Sequence, residues 1–217
     1  MPDRRNKALI SKEPDLAVII LAAGRSSRMM GTNKLLEKLA GKSLIRTVAE
    51  HAIASGIRPI IVVTGHQADH IHAEIGDLDI QFVHNPNYAD GLSTSLQAGL
   101  RILPEHIDGA LIMLGDMPLI TPNVLQKLMD AFRASPACLA AVPSYHENWG
   151  NPVLLARSLF KAASELTGDS GARKLLEMHR DQVIEVTVAD DSVTIDLDTP
   201  EAFNAARTRK NSGSSTQ

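Results

Sequence analysis

The segment LAVIILA at residues 16–22 is apolar without interruption and runs into the small residues Ala23 and Gly24. A strand with one wet face alternates apolar and polar side chains, whereas a strand buried on both faces is apolar throughout. Residues 16–22 therefore demand a sheet covered by helices on both sides. PIIVVTG (59–65) and GALIML (109–114) repeat that demand. Amphipathic stretches separate these runs. Residues 43–55 carry Leu44, Ile45, Val48, Ala49 and Ala52 at helical spacing and stop at Gly56. Residues 67–74 and 93–103 read as further helices and 80–84 as another strand. Thr121 and Pro122 supply the cap and first-turn proline of a helix to about Ala134. The alternation implies an α/β domain, a three-layer α/β/α arrangement around a mostly parallel, Rossmann-like sheet.

After Cys138 the order loosens. Residues 139–143 and 152–156 read as strands flanking the polar loop SYHENWGN, followed by helices at 158–166 and 170–179 and a strand at 183–188. A short extended piece at 193–197 precedes a last helix from Pro200. One domain over residues 15–208 is expected, with polar tails at 1–14 and 209–217 that lack the apolar content to order themselves.

Composition narrows the function classes. No run of roughly 18 apolar residues exists to span a bilayer, and the N-terminus has no apolar segment behind its basic residues. A net charge of −3, a pI near 6.2 and 3% aromatics argue against a nucleic-acid partner. The one cysteine, Cys138, excludes an internal disulfide and a cysteine zinc cluster, and reads as a small buried hydrophobe. A soluble, cytoplasmic protein without membrane contact is expected.

Three segments carry chemistry. LAAGRSSRMMGTNK (21–34) follows the first strand, where parallel sheets bind ligands. Its small residues let a phosphate approach backbone N–H groups, and Arg28 and Lys34 add cations suited to a polyphosphate. The same residues would also make a plain solvated turn. Neither a Walker A motif nor a dinucleotide fingerprint is present. GDMP (115–118) follows the strand at 109–114, so Asp116 faces the same edge, as a Mg²⁺ ligand or as a turn residue. In IDLDTPE (195–201), Asp196 and Asp198 fall on one face of an extended segment, and Asp198 or Thr199 would equally cap the helix at Pro200. His66 and His70 have metal spacing but no evident further ligand, so with His72 they read as ordinary surface histidines. Trp149 either covers a bulky acceptor or simply packs.

In their order along the chain, LAAGRSSRM…NK, GDMP and DLDTPE resemble the nucleotidyltransferase family that includes the molybdenum cofactor guanylyl- and cytidylyltransferases. NPNYADGLSTSLQAGL (85–100), GNPVLL (150–155) and GDSGARKLL (168–176) resemble its cytidylyltransferase branch, as does LAAG where guanine-using relatives typically carry LAGG. The resemblance implies the nucleotidyltransferase fold and transfer of a nucleotidyl group from CTP to the molybdenum–pterin cofactor, with release of pyrophosphate. It implies that Leu21, Ala22, Ala23 and Gly24 line the nucleotide, with Thr64, Gly65, Ser93 and Ser95 beside the nucleoside. Arg28 and Lys34 would grip the triphosphate. Asp116 would hold Mg²⁺ with Asp198, or with Asp196, as the second carboxylate. Asn151 and Arg173 would receive the acceptor, and a recipient molybdoenzyme or its chaperone would take the product. The alternatives are a sugar-phosphate nucleotidyltransferase, a nicotinamide-dependent oxidoreductase on the same fold, and a non-catalytic delivery module. Arg28, Lys34 and Asp116 count against the last two.

Overall fold

Strand β1 (Leu16–Ala22) is buried along its whole length, and successive side chains enter different cores. The computed structural model that shows this describes residues 13–24, 33–169 and 172–213. The elements after β1 are β2 (Lys38–Leu39), β3 (Lys42–Ser43), α1 (Leu44–Ala54), β4 (Ile60–Thr64), α2 (Ala68–Ile75) and β5 (Gln81–His84). They continue with α3 (Leu92–Arg101), β6 (Gly109–Leu114), α4 (Pro122–Ala134), β7 (Ala140–Tyr145), β8 (Asn148–Trp149) and β9 (Val153–Ala156). The chain closes with α5 (Phe160–Ala163), α6 (Ala172–Met178), β10 (Val183–Thr187) and α7 (Pro200–Gly213).

Among the described residues the main sheet has eight strands in the order β10-β7-β9-β6-β1-β4-β5, with β8 paired to β7. The pairs β1–β4, β1–β6, β4–β5 and β7–β10 are parallel, while β9 runs antiparallel between β6 and β7. The three-layer, mostly parallel α/β arrangement is thus present. Val18 and Ile20 pack with α1, α2 and α4, through Ile45, Ile71, Leu125 and Leu128. Ala17, Ile19 and Leu21 pack with α3 and α6, through Leu96, Leu100 and Leu176. Burying each large aliphatic side chain stabilises the fold by about 1.5–3 kcal/mol, so neither face of β1 tolerates a polar residue. Among the described residues, no helix is long and apolar enough to cross a membrane.

Several local expectations need correction. The polar loop SYHENWGN is a tight hairpin: His146 and Glu147 adopt φ of 46° and 65°, and Trp149 pairs with Ser144. Two consecutive left-handed residues match the twist of the strands they join. The expected helix at 158–166 shrinks to a 3-10 turn and the four residues of α5. Beyond it the chain turns onto α3, where the Leu166 carbonyl accepts from Gln97 Nε2 at 2.8 Å. The extended piece at 193–197 is replaced by a 3-10 turn at Asp191–Val193 and an irregular tether, whose Leu197 N–H donates to the Asp116 carbonyl at 3.1 Å. The hairpin β2–β3 was not expected. It turns on Ala40 and Gly41, both with positive φ. Helix α7 runs on to Gly213, past the boundary expected at residue 208.

Gly99 shows how closely α3 sits on the sheet. A Cβ there would come 2.6 Å from Ile19 Cγ2 and 3.1 Å from Val63 Cγ2. Gly→Ala in a helix ordinarily gains about 1 kcal/mol, but overpacking a core costs about 1–3 kcal/mol, and Ile19 is fully buried. Gly99→Ala should therefore lower the urea midpoint, and a raised midpoint would show that the α3–β1 contact is looser than it stands here.

Candidate active site

Parallel strands present their C-terminal ends, with loops and backbone groups, at one edge of the sheet. Ala22 pairs with Thr64 and Leu21 with Leu114, so the segments after β1, β4 and β6 begin level with one another. Backbone bonds extend this alignment past the strands. Gly115 N–H donates to the Leu21 carbonyl at 3.0 Å, and His66 N–H to the Ala23 carbonyl at 3.2 Å. Gly65 fills a place that admits no side chain, since a Cβ would lie 2.6 Å from Tyr88 Cβ and 2.9 Å from Ala23 Cβ. Among the described residues, a Cβ on Gly24 would meet nothing within 4 Å.

Beside this floor lies a charged cluster. Asn33 caps the 3-10 turn at Lys34–Leu36 by accepting from the Leu35 N–H at 3.1 Å, which sets the position of Lys34. Lys34 Nζ donates to Asp116 Oδ2 at 2.6 Å and to Asp198 Oδ1. Asp116, Asp196 and Asp198 each offer an oxygen, all within 4.8 Å of one another. Like charges about 4 Å apart repel by about 4 kcal/mol at an effective dielectric near 20, so the lysine offsets a repulsion built into the fold. Lys34 and Asp116 are largely shielded, with side chains 15% and 16% exposed. Converging hard carboxylate oxygens are the donor set of Mg²⁺ or Mn²⁺, and the ammonium already stands as a cation among them. The residues fit a divalent metal.

On the α3 and α6 side of the sheet is a cavity of about 150 Å³, whose lining includes Leu114 at the end of β6. Leu21, Leu96, Ile112, Leu114, Val153 and Leu176 give it a mainly apolar wall, and Asn151 and Arg173 contribute its polar side chains. Trp149 closes one side, with the Arg180 guanidinium 4.9 Å from its ring centre. Gly150 is forced here, because a Cβ would lie 2.3 Å from the Val193 carbonyl oxygen. Asn151 N–H donates to that same carbonyl at 2.8 Å.

Most of the residues singled out by sequence converge on this edge. Leu21 to Gly24, Thr64, Gly65, Lys34, Asp116, Asp196 and Asp198 border the floor or form the cluster, and Asn151 and Arg173 line the cavity. Arg28 lies outside the described residues, as do residues 170–171 of GDSGAR. Ser93 is fully buried at the start of α3, where its N–H donates to the Gly168 carbonyl at 3.1 Å. Ser95 is committed to structure: its Oγ accepts from Asn85 Nδ2 at 3.1 Å. His66 tilts against Tyr88, His72 against Phe82, and none joins a metal-binding group among the described residues. Cys138 is half-buried, and that burial pushes its thiol pKa up. Sequence reasoning missed Asn85 as a separate element of the site. Buried after β5, it donates to Thr94 Oγ1 at 2.9 Å and accepts from Asn87 N–H at 3.0 Å, tying the sheet edge to α3. Its place between a strand and a proline was the available signal.

A glycine-lined floor, a lysine and converging carboxylates at the C-terminal edge of a mainly parallel sheet belong to a nucleotidyltransferase. The MobA-like NTP transferase domain matches residues 18–183, and the chain belongs to that family. It is 31% identical over 193 residues to the molybdenum cofactor cytidylyltransferase of Escherichia coli, covering 88% of this chain and 95% of that protein. It is 35% identical over 158 residues to the bifunctional protein GlmU of Francisella philomiragia; that match takes in 72% of this chain but only 34% of the relative. Rv0371c of Mycobacterium tuberculosis superposes with a TM-score of 0.80 at 26% identity, over 91% of this chain and 100% of its own. The manganese complex of Rv0371c superposes with a TM-score of 0.75 at 25% identity, over 89% and 98%.

Asn85→Ala should cost about 1–3 kcal/mol, because it removes a buried amide and strands the buried Ser95 hydroxyl. Thermal unfolding should show a lower midpoint, and an unchanged midpoint would mean that Asn85 does not anchor α3.

Proposed function

We propose that this nucleotidyltransferase transfers the cytidylyl group of CTP to the terminal phosphate of the molybdenum–pterin cofactor, releasing pyrophosphate. The observation that carries the choice of acceptor is the cavity lined by Leu114, Trp149, Asn151 and Arg173. Its wall is apolar, with few polar side chains, which suits a flat heterocycle bearing a phosphate better than a hydroxyl-rich sugar. The match to the E. coli cytidylyltransferase over nearly all of that protein supports the same choice.

The acceptor phosphate is ionised near neutral pH, so no general base is required. Its oxygen attacks the α-phosphorus of CTP, and the bond to the bridging oxygen of pyrophosphate breaks. The barrier is electrostatic: two anions meet, and negative charge grows on the leaving group. In this reading Leu21, Ala22, Ala23 and Gly24 face the nucleotide, while Lys34 and Arg28 bind the triphosphate. Thr64, Gly65 and Ser93 support the nucleoside side, and Asn151 and Arg173 orient the acceptor. Asp116 and Asp198, with Asp196 in reach, would hold Mg²⁺, which supplies charge neutralisation on the phosphates. We place the work in the cytoplasm, with a molybdoenzyme or its chaperone receiving the product.

Pyrophosphate release from CTP and Mg²⁺ tests the reading, with either the molybdenum–pterin cofactor or a hexose 1-phosphate as acceptor. Release with the pterin alone is expected; release with the sugar phosphate alone would overturn the choice of acceptor. Asp116→Asn should lower turnover by on the order of 10² while the fold survives, and near-normal turnover would remove Asp116 from the mechanism.

Nucleotide choice rests on Ala23, which is buried against Gly65. A methyl group in a pocket discriminates by only about 1–3 kcal/mol. CTP should therefore be preferred over GTP in kcat/KM, and Ala23→Gly should relax that preference without inverting it. A wild-type preference for GTP would contradict the assignment.

A further inference from the structure

Lys34 lies on the carboxylates themselves. Its ammonium donates to Asp116 Oδ2 and Asp198 Oδ1, two of the groups that would take a divalent cation. Ammonium and metal therefore compete for the same oxygens in the free protein. The proposed function also gives the same side chain to the triphosphate, whose oxygens offer it a second set of partners. From this double placement we infer that Lys34 is an internal counter-cation that holds the metal site closed until nucleotide arrives. Nucleotide phosphates draw the ammonium away, and the carboxylates then accept the metal. Metal and nucleotide are thereby coupled through one side chain, in addition to any chelation of the metal by nucleotide in solution.

The device is economical physically. The backbone holds the three carboxylates within 4.8 Å of one another, and Lys34 offsets their mutual repulsion until a metal takes its place. It also guards against loading a metal before the substrate it must act on. The inference rests on the proposed metal-assisted transfer only in supposing that these carboxylates take a divalent cation. It is independent of which nucleotide or acceptor is used.

The test is binding of Mn²⁺ alone, without nucleotide, followed by electron paramagnetic resonance or titration calorimetry. Lys34→Met removes the charge at similar length, and Lys34→Gln removes it while keeping a hydrogen-bond donor between the carboxylates. Lys34→Arg keeps the charge. Coupling energies of this kind span about 5- to 150-fold. Lys34→Met and Lys34→Gln should bind Mn²⁺ at least about 5-fold more tightly than the wild type, while Lys34→Arg should not gain. Circular dichroism and thermal unfolding check that each variant folds, and Lys34→Gln decides the matter if Lys34→Met does not. A folded, uncharged variant that binds Mn²⁺ no better than the wild type would overturn the inference. Failure of every protein, wild type included, to bind Mn²⁺ would refute the metal assignment of the proposed function and this inference with it.

Discussion

The Lys34 ammonium bonds carboxylates from two distant parts of the chain. Lys34 is 82 residues from Asp116 and 164 from Asp198, yet it bonds to both. Carboxylates do not gather unaided, and here they are gathered by covalent and backbone constraints as well as by charge. Asp116 sits in the turn that β6 feeds into the cleft, and the Leu197 N–H is bonded to its carbonyl at 3.1 Å. That backbone bond brings Asp196 and Asp198 alongside. Lys34 is set from the other side by the Asn33 cap. The cluster is the closing point of the fold as well as its chemical centre.

The sheet makes this possible by keeping its C-terminal edge level. Parallel pairing of β1 with β4 and β6 aligns the segments that follow them, and both faces of β1 are filled by helices, which leaves no freedom for the edge to shift. The antiparallel insertion of β9 has a different effect. Trp149, Gly150 and Asn151, just before it, line the cavity from a segment far along the chain from the glycine loop.

The central strands were legible because burial on both faces leaves a plain mark, an apolar run with no polar interruption. The position of Asp116 was legible because it follows directly on the end of β6, and Lys34 was singled out by the family resemblance of LAAGRSSRM…NK. What those side chains bond to was not. Lys34 was expected to serve phosphates, and its union with Asp116 and Asp198 depends on three segments that only the tertiary fold brings together. Ser95 misled for a related reason: it lies near the start of α3, but it is buried, and its hydroxyl accepts from Asn85 on the preceding segment. The hairpin at His146 and Glu147 was invisible because neither residue advertises a positive φ, as glycine or asparagine would. The irregular tether before α7 escaped because its single decisive bond runs to a backbone carbonyl in GDMP.

The proposed reaction has the Lys34 cluster as its metal and phosphate centre. The most direct measurement is a crystal structure with Mn²⁺ and a non-hydrolysable CTP analogue, using anomalous scattering to locate the manganese. The account predicts an anomalous peak bonded to Asp116 and Asp198, with Lys34 Nζ moved onto the phosphates. Manganese bound elsewhere, or a Lys34 still bridging the two carboxylates with nucleotide in place, would contradict it.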